Sequence, residues 1–101
     1  MDFLSNLGIT NETIQSIKNQ CIDDVEISQF YLYKSSIESS VLLMRRIGVR
    51  QEAIEEILKE NFRIFLPGEE YLKDVLAKIN DINSFVEKLN SDPIQYCDYL
   101  Y

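Results

Sequence analysis

The chain has 101 residues, 46% of them hydrophobic and 27% charged, which suits one folded domain around one core and is too apolar for a disordered chain. Ten Lys and Arg against seventeen Asp and Glu leave a net charge of −7, which repels nucleic-acid phosphates and anionic lipid over most of the surface, so partners are expected to be proteins. With no His, the commonest general base and metal ligand is missing, and with three isolated glycines there is no phosphate-cradling loop, so the sequence predicts no enzyme, no metal and no cofactor.

At the N-terminus, Asp2 directly after Met1, with no positive stretch and no long apolar run, predicts neither a signal peptide nor a membrane span, and hence a cytoplasmic location. Few Gly and Pro interrupt the chain, which favours helices. A first helix is predicted over 2–7 and a second over 11–21. Residues 23–33, Asp-Asp-Val-Glu-Ile-Ser-Gln-Phe-Tyr-Leu-Tyr, have a β-rich composition, but a lone strand has nothing to pair with, which leaves a short helix or an irregular connection. Ser35 and Glu38 have capping-box spacing and start a third helix over 36–47. A fourth over 50–60 runs into Phe62, Ile64, Phe65 and Leu66 and is broken at Pro67-Gly68; a fifth covers 69–79 with Leu72, Val75, Leu76 and Ile79 on one face. Two short helices close the chain, over 83–90 and from Pro93, which suits a first helical position after Ser91 and Asp92.

The pattern Leu7-Gly8-Ile9-x-x-Glu12-x-Ile14-x-x-Ile17 recurs without a gap as Ile47-Gly48-Val49-x-x-Glu52-x-Ile54-x-x-Ile57, with Phe3 and Leu4 matching Leu43 and Met44 upstream. Such a period is the mark of stacked helical units. Each glycine falls where a helix ends and a left-handed backbone is wanted; the residue after it packs back on that helix, and the glutamate favours the positive end of the next. A degenerate third copy is read at Ile79-Asn80, with Val86 and Leu89 in place of Ile54 and Ile57, Asn being the second choice for that backbone conformation. The predicted fold is all-α: a single domain over 1–101, a small bundle of about five to seven short helices, with repeat-like units at 3–40 and 43–79 and a degenerate one at 79–101.

The run Leu43-Met44-Arg45-Arg46-Ile47-Gly48-Val49, a helix through Glu52, Ile54 and Leu58, and then Asn61-Phe62-Arg63-Ile64-Phe65-Leu66 resembles the helical repeat of the mitochondrial transcription termination factor family. The resemblance covers two units and part of a third. It implies helix pairs joined by a glycine turn and stacked as a solenoid, which in that family binds nucleic acid. The proline of the family's Pro-x-x-Leu segment falls at Asn61 or Phe62 here, although Asp92-Pro93 has one in the degenerate copy, and the basic groove is missing.

Two sets of residues are candidates for interaction. Arg45, Arg46 and Arg50 cluster around the second glycine turn, where they suit a phosphate or an acidic partner; equally, Arg45 and Arg46 offset a helix macrodipole and Arg50 pairs with nearby glutamates. Tyr31, Tyr33, Tyr96, Tyr99 and Tyr101 suit an interface, because tyrosine offers area at small entropy cost with a polar tip, or they pack on the domain itself. Glu52, Glu55, Glu56 and Glu60 read as a solvated face interspersed with Lys59, and Cys21 and Cys97 as reduced, partly buried thiols. The functional expectation is a non-enzymatic helical module that binds another protein or itself through an apolar, tyrosine-bearing face. Nucleic-acid binding through Arg45, Arg46 and Arg50 is the alternative, disfavoured by the charge, and an acidic nucleic-acid mimic is a third reading; no membrane association is expected.

Overall fold

The computed structural model describes residues 2–21 and 23–100. In chain order the elements are α1 (Asp2–Asn6), α2 (Asn11–Gln20), α3 (Asp24–Leu32), α4 (Lys34–Arg46), α5 (Gln51–Asn61), a 3-10 turn (Phe62–Phe65), α6 (Glu69–Ala77), α7 (Ile82–Ser91), α8 (Pro93–Tyr96) and a closing 3-10 turn (Cys97–Leu100). The described residues contain no strand.

Gly8 and Gly48 adopt φ of +82° and +104°, the left-handed backbone that their place after α1 and α4 calls for. The hydrogen bonds repeat with them. Gly8 N–H reaches Ser5 O and Ile9 N–H reaches Leu4 O, and Gly48 N–H reaches Arg45 O and Val49 N–H reaches Met44 O, all at 3.0–3.1 Å. This pairing consumes carbonyls that a helix end otherwise leaves without partners. Ile9 and Val49 are then buried, and α2 and α5 begin from Thr10 (φ −71°, ψ 157°) and Arg50 (φ −72°, ψ 154°), nearly the same backbone. The sequence repeat is a repeat of conformation.

The third copy closes differently. Among the described residues no non-glycine has positive φ, so Asn80 does not take the left-handed form. A Cβ makes that form costly, and α6 ends instead through Lys78 N–H to Val75 O and Ile79 N–H to Leu76 O. Asp81 then starts α7, its carboxylate accepting from Ser84 N–H at 3.1 Å.

Residues 23–33 form helix α3 and its two caps, which brings the α-helices among the described residues to eight. Asp23 caps α3 by accepting from Glu26 N–H at 2.9 Å, and Phe30 anchors it, its ring centroid 5.7 Å from Phe3 and 5.2 Å from Phe62. Nor does the Ser35–Glu38 capping box start α4. Tyr33 N–H still bonds the Gln29 and Phe30 carbonyls while Tyr33 O accepts from Ile37 N–H, so α3 passes into α4 across one residue and Ser35 already lies inside the first turn. Further on, α5 tightens after Asn61 into the 3-10 turn, which buries Phe62, Ile64 and Phe65. On α6 only Leu72 is buried; Val75, Leu76 and Ile79 are half-covered at the periphery. Asp92 caps α8 ahead of Pro93, as its sequence indicates.

The core runs along the stack. Leu4, Ile17, Ile37, Met44, Ile54, Ile57, Leu58, Phe65 and Leu72 have no accessible surface, and full burial of each such side chain contributes about 1.5–3 kcal/mol. Helix α2 lies on α5, and α4 is flanked by α1, α3, α5 and α6. The outline is elongated, 40 × 24 × 23 Å. No helix among the described residues is long and apolar enough to cross a membrane.

Candidate protein-docking surface

The three arginines do not form a common patch. Arg45 turns inward: its Nη2 donates to Leu7 O, the carbonyl before the first glycine turn, and to Gln51 Oε1 at 2.7 Å, while Gln51 Nε2 donates to Gly8 O at 3.2 Å. The guanidinium therefore joins the first unit to the second. Arg46 pairs with Glu69 at 2.8 Å on the surface. Arg50 is exposed and forms no ion pair among the described residues, in contrast to the expected pairing with glutamates; its backbone N–H donates to Asn90 Oδ1 at 2.8 Å.

The glutamates of α5 also divide. Glu55 reaches across to the start of α2, where its Oε1 accepts from Thr10 N–H (2.7 Å), Thr10 Oγ1 (2.7 Å) and Thr13 Oγ1 (2.9 Å). Partial burial by itself raises its pKa, but these hydrogen bonds and the Lys59 charge outweigh it and hold the carboxyl below its usual value. Glu55 is thus a buttress of the fold and does not belong to the solvated face. Both thiols are free; burial, the largest cause, pushes the pKa of Cys21 and of buried Cys97 up.

The tyrosines belong to different surfaces. Tyr96 and Tyr99 have ring centroids 6.2 Å apart and line a cleft of about 340 Å³ with Phe85 and Lys88, with the Lys88 ammonium 5.8 Å from the Tyr96 ring. Tyr101 lies outside the described residues. Tyr31 packs edge-on to Phe3 at 6.0 Å, and Tyr33 lines a second groove, of about 360 Å³, with Val25, Gln29, Phe30, Phe62 and Leu66. Arg63 and Glu26 form an ion pair at the groove's edge.

Helix α3 is thinly covered, with Phe30 its one buried residue. Phe30 on its inner side is 2% exposed, whereas Val25 and Leu32 on its outer side are 64% and 82% exposed. Together with Tyr31 and Tyr33 they make up four of the eight large apolar residues exposed among the described ones. These four side chains are exposed on one helix and the residue that follows it. The chain matches no known family model, no curated protein and no solved structure.

Val25 and Leu32 escaped the sequence reading because 23–33 had no assigned conformation, and a face exists only once a conformation does. Their spacing of seven, with Phe30 out of register, is the signal that a helical reading would have exposed. No group of three or more metal-capable side chains occurs among the described residues.

Proposed function

We propose that this protein is a small non-enzymatic module that binds protein through the outer face of α3, with Val25 and Leu32 at its centre and Tyr31 and Tyr33 at its sides. The observation that carries this reading is the exposure of those four residues on one nine-residue helix and its following residue. Leaving Leu32 82% exposed forgoes about 1–2 kcal/mol that burial of the side chain provides, and a partner recovers it. The two tyrosines add the amphipathic area typical of residues on which binding energy concentrates.

A photo-crosslinking residue in place of Leu32, in cells that produce the protein, tests the reading. The expected result is a discrete protein adduct that is absent when the probe replaces the exposed Glu87 of α7. Equal labelling at both positions, or none at either, would overturn it.

A further inference from the structure

Little holds α3 on its neighbours. Phe30 is its one buried residue, packed against Phe3 and Phe62, while Tyr31 stands edge-on to Phe3 at 6.0 Å and Glu26 pairs with Arg63. Ile27 is only half covered, and Val25 and Leu32 are exposed. Every other buried side chain of the core belongs to a different element, so undocking α3 withdraws one side chain from the core and leaves the contact of α2 with α5 in place. Segments with so few buried apolar contacts open at lower free energy than the whole domain. A nine-residue helix is also too short to persist alone in water, so undocking and melting of α3 are one event.

Helix α4 is equipped for that event. Ser35 and Glu38 have the spacing of a capping box, yet the box is unused while α3 is docked. Ser35 then lies inside the first turn, no side chain caps the start of α4, and Glu38 pairs with Lys34 at 4.0 Å. Tyr33 joins the two helices through its backbone, its N–H closing α3 on the Gln29 and Phe30 carbonyls and its own carbonyl accepting from Ile37 N–H at 2.9 Å. We infer that α3 is a detachable strap, which undocks and melts as a unit while the other helices stay folded, and that α4 then restarts at the Ser35–Glu38 capping box. In the open state the Ser35 hydroxyl accepts from Glu38 N–H and the Glu38 carboxylate accepts from Ser35 N–H, which satisfies donors that the loss of α3 leaves at the new helix end. The docked state has the burial of Phe30 and the Glu26–Arg63 pair in its favour; the open state has the cap and the chain freedom of 23–33. Val25 and Leu32 share a face only while α3 is helical, so opening withdraws the docking face. The strap is a property of the chain alone, whether or not a partner takes that face.

Hydrogen–deuterium exchange of the full chain, followed on the amides of 27–33 and of 54–61 in rising urea, tests the inference. The α3 amides should exchange through an opening about tenfold or more as populated as the one that releases α5, with a weaker dependence on urea because less surface is exposed. Two variants separate the states. Ile54→Val weakens a fully buried contact that the open state keeps, so it should speed exchange in α5 about fivefold and leave α3 unchanged. Ser35→Ala favours the docked helix, where the residue is already helical, and removes the cap of the open state, so α3 should exchange about fivefold more slowly, beyond any change in α5. A serine that served the docked structure would give the opposite sign. Exchange of α3 that tracks α5 in urea and in Ile54→Val overturns the strap. Exchange of α3 in Ser35→Ala that is as fast as in the native chain, or faster, overturns the re-capped open state.

Discussion

Gln51 and Asn90 perform the same task in successive units: each donates its side-chain amide to the carbonyl of the glycine that ends the preceding helix, at 3.2 Å to Gly8 and 3.1 Å to Gly48. They do so from opposite ends of their helices, Gln51 at the start of α5 and Asn90 near the end of α7. The amide of Asn90 serves twice, since its oxygen also accepts from the N–H of Arg50, the residue that caps the start of α5. Asn90→Ala removes both bonds and should cost about 1–2 kcal/mol, while Asn90→Asp keeps the acceptor and should cost less than Asn90→Ala. In a domain of this size each kcal/mol lowers Tm by about 4–8 °C, so thermal unfolding monitored by circular dichroism resolves the two variants. Equal losses would show that the bond from Arg50 N–H contributes nothing.

The glycine turns give a second prediction. A Cβ at Gly48 would meet only Val86 Cγ1 at 3.5 Å, an ordinary contact, so the cost of Gly48→Ala comes from φ of +104° and not from crowding. It should destabilise by about 1 kcal/mol or more. Asn80→Ala, at the corresponding place of the third copy but with negative φ, should be close to neutral. A matched pair of Tm measurements checks both, and a costly Asn80→Ala would contradict the backbone assigned to the third turn.

Where glycine and helical period punctuate the chain, the fold was legible. Ile14 and Ile17, and Ile54 and Ile57, are buried as their spacing implies, because a helix face follows from the chain's own periodicity. What escaped depends on contacts far along the chain. Glu52, Glu55, Glu56 and Glu60 are indistinguishable by local pattern, yet Glu55 alone lies across from Thr10, 45 residues away. Arg45 and Arg46 are neighbours of identical type, and only the position of Leu7 O, 38 residues upstream, separates the inward one from the outward one. Helix α3 was ambiguous for a different reason: with apolar residues on both its inner and outer sides, its pattern has no single face. The feature that hid the helix from a periodicity reading is the apolar character of its exposed outer side, where Val25 and Leu32 stand.

That difference between the two arginines is measurable. Arg45 ties Leu7 O and Gln51 together between units, and hydrogen bonds to a charged donor contribute about 1.5–3 kcal/mol, so Arg45→Met should fall within that range. Arg46 faces solvent and its pair with Glu69 is exposed, with side chains 61% and 33% accessible, so Arg46→Ala should cost less than about 1 kcal/mol and the cost should shrink in high salt. Urea unfolding at low and high salt separates the two. A salt-insensitive, costly Arg46→Ala would mean that its ion pair is not the surface contact described.

Glu55 links stability to pH with a definite sign. Its folded-state pKa lies below the ordinary carboxyl value of 4.5, because the Thr10 and Thr13 hydrogen bonds and Lys59 outweigh the opposing effect of burial, so the folded state binds the proton less readily than the unfolded chain does. The stabilisation is therefore fully present above about 4.5 and is lost as pH falls through the lower folded-state value. Glu55→Gln keeps the shape but removes the charge, and at neutral pH it should cost about 1–2 kcal/mol, a range that allows for the partial exposure of the carboxylate. The difference in unfolding free energy between the native chain and Glu55→Gln should stay constant from about pH 7 down to about pH 5 and then narrow, because protonated Glu55 and Gln are both neutral. Urea unfolding at a series of pH values measures it. A gap that widens in acid would require a raised carboxyl pKa and would remove the buttress assigned to Glu55 at the start of α2.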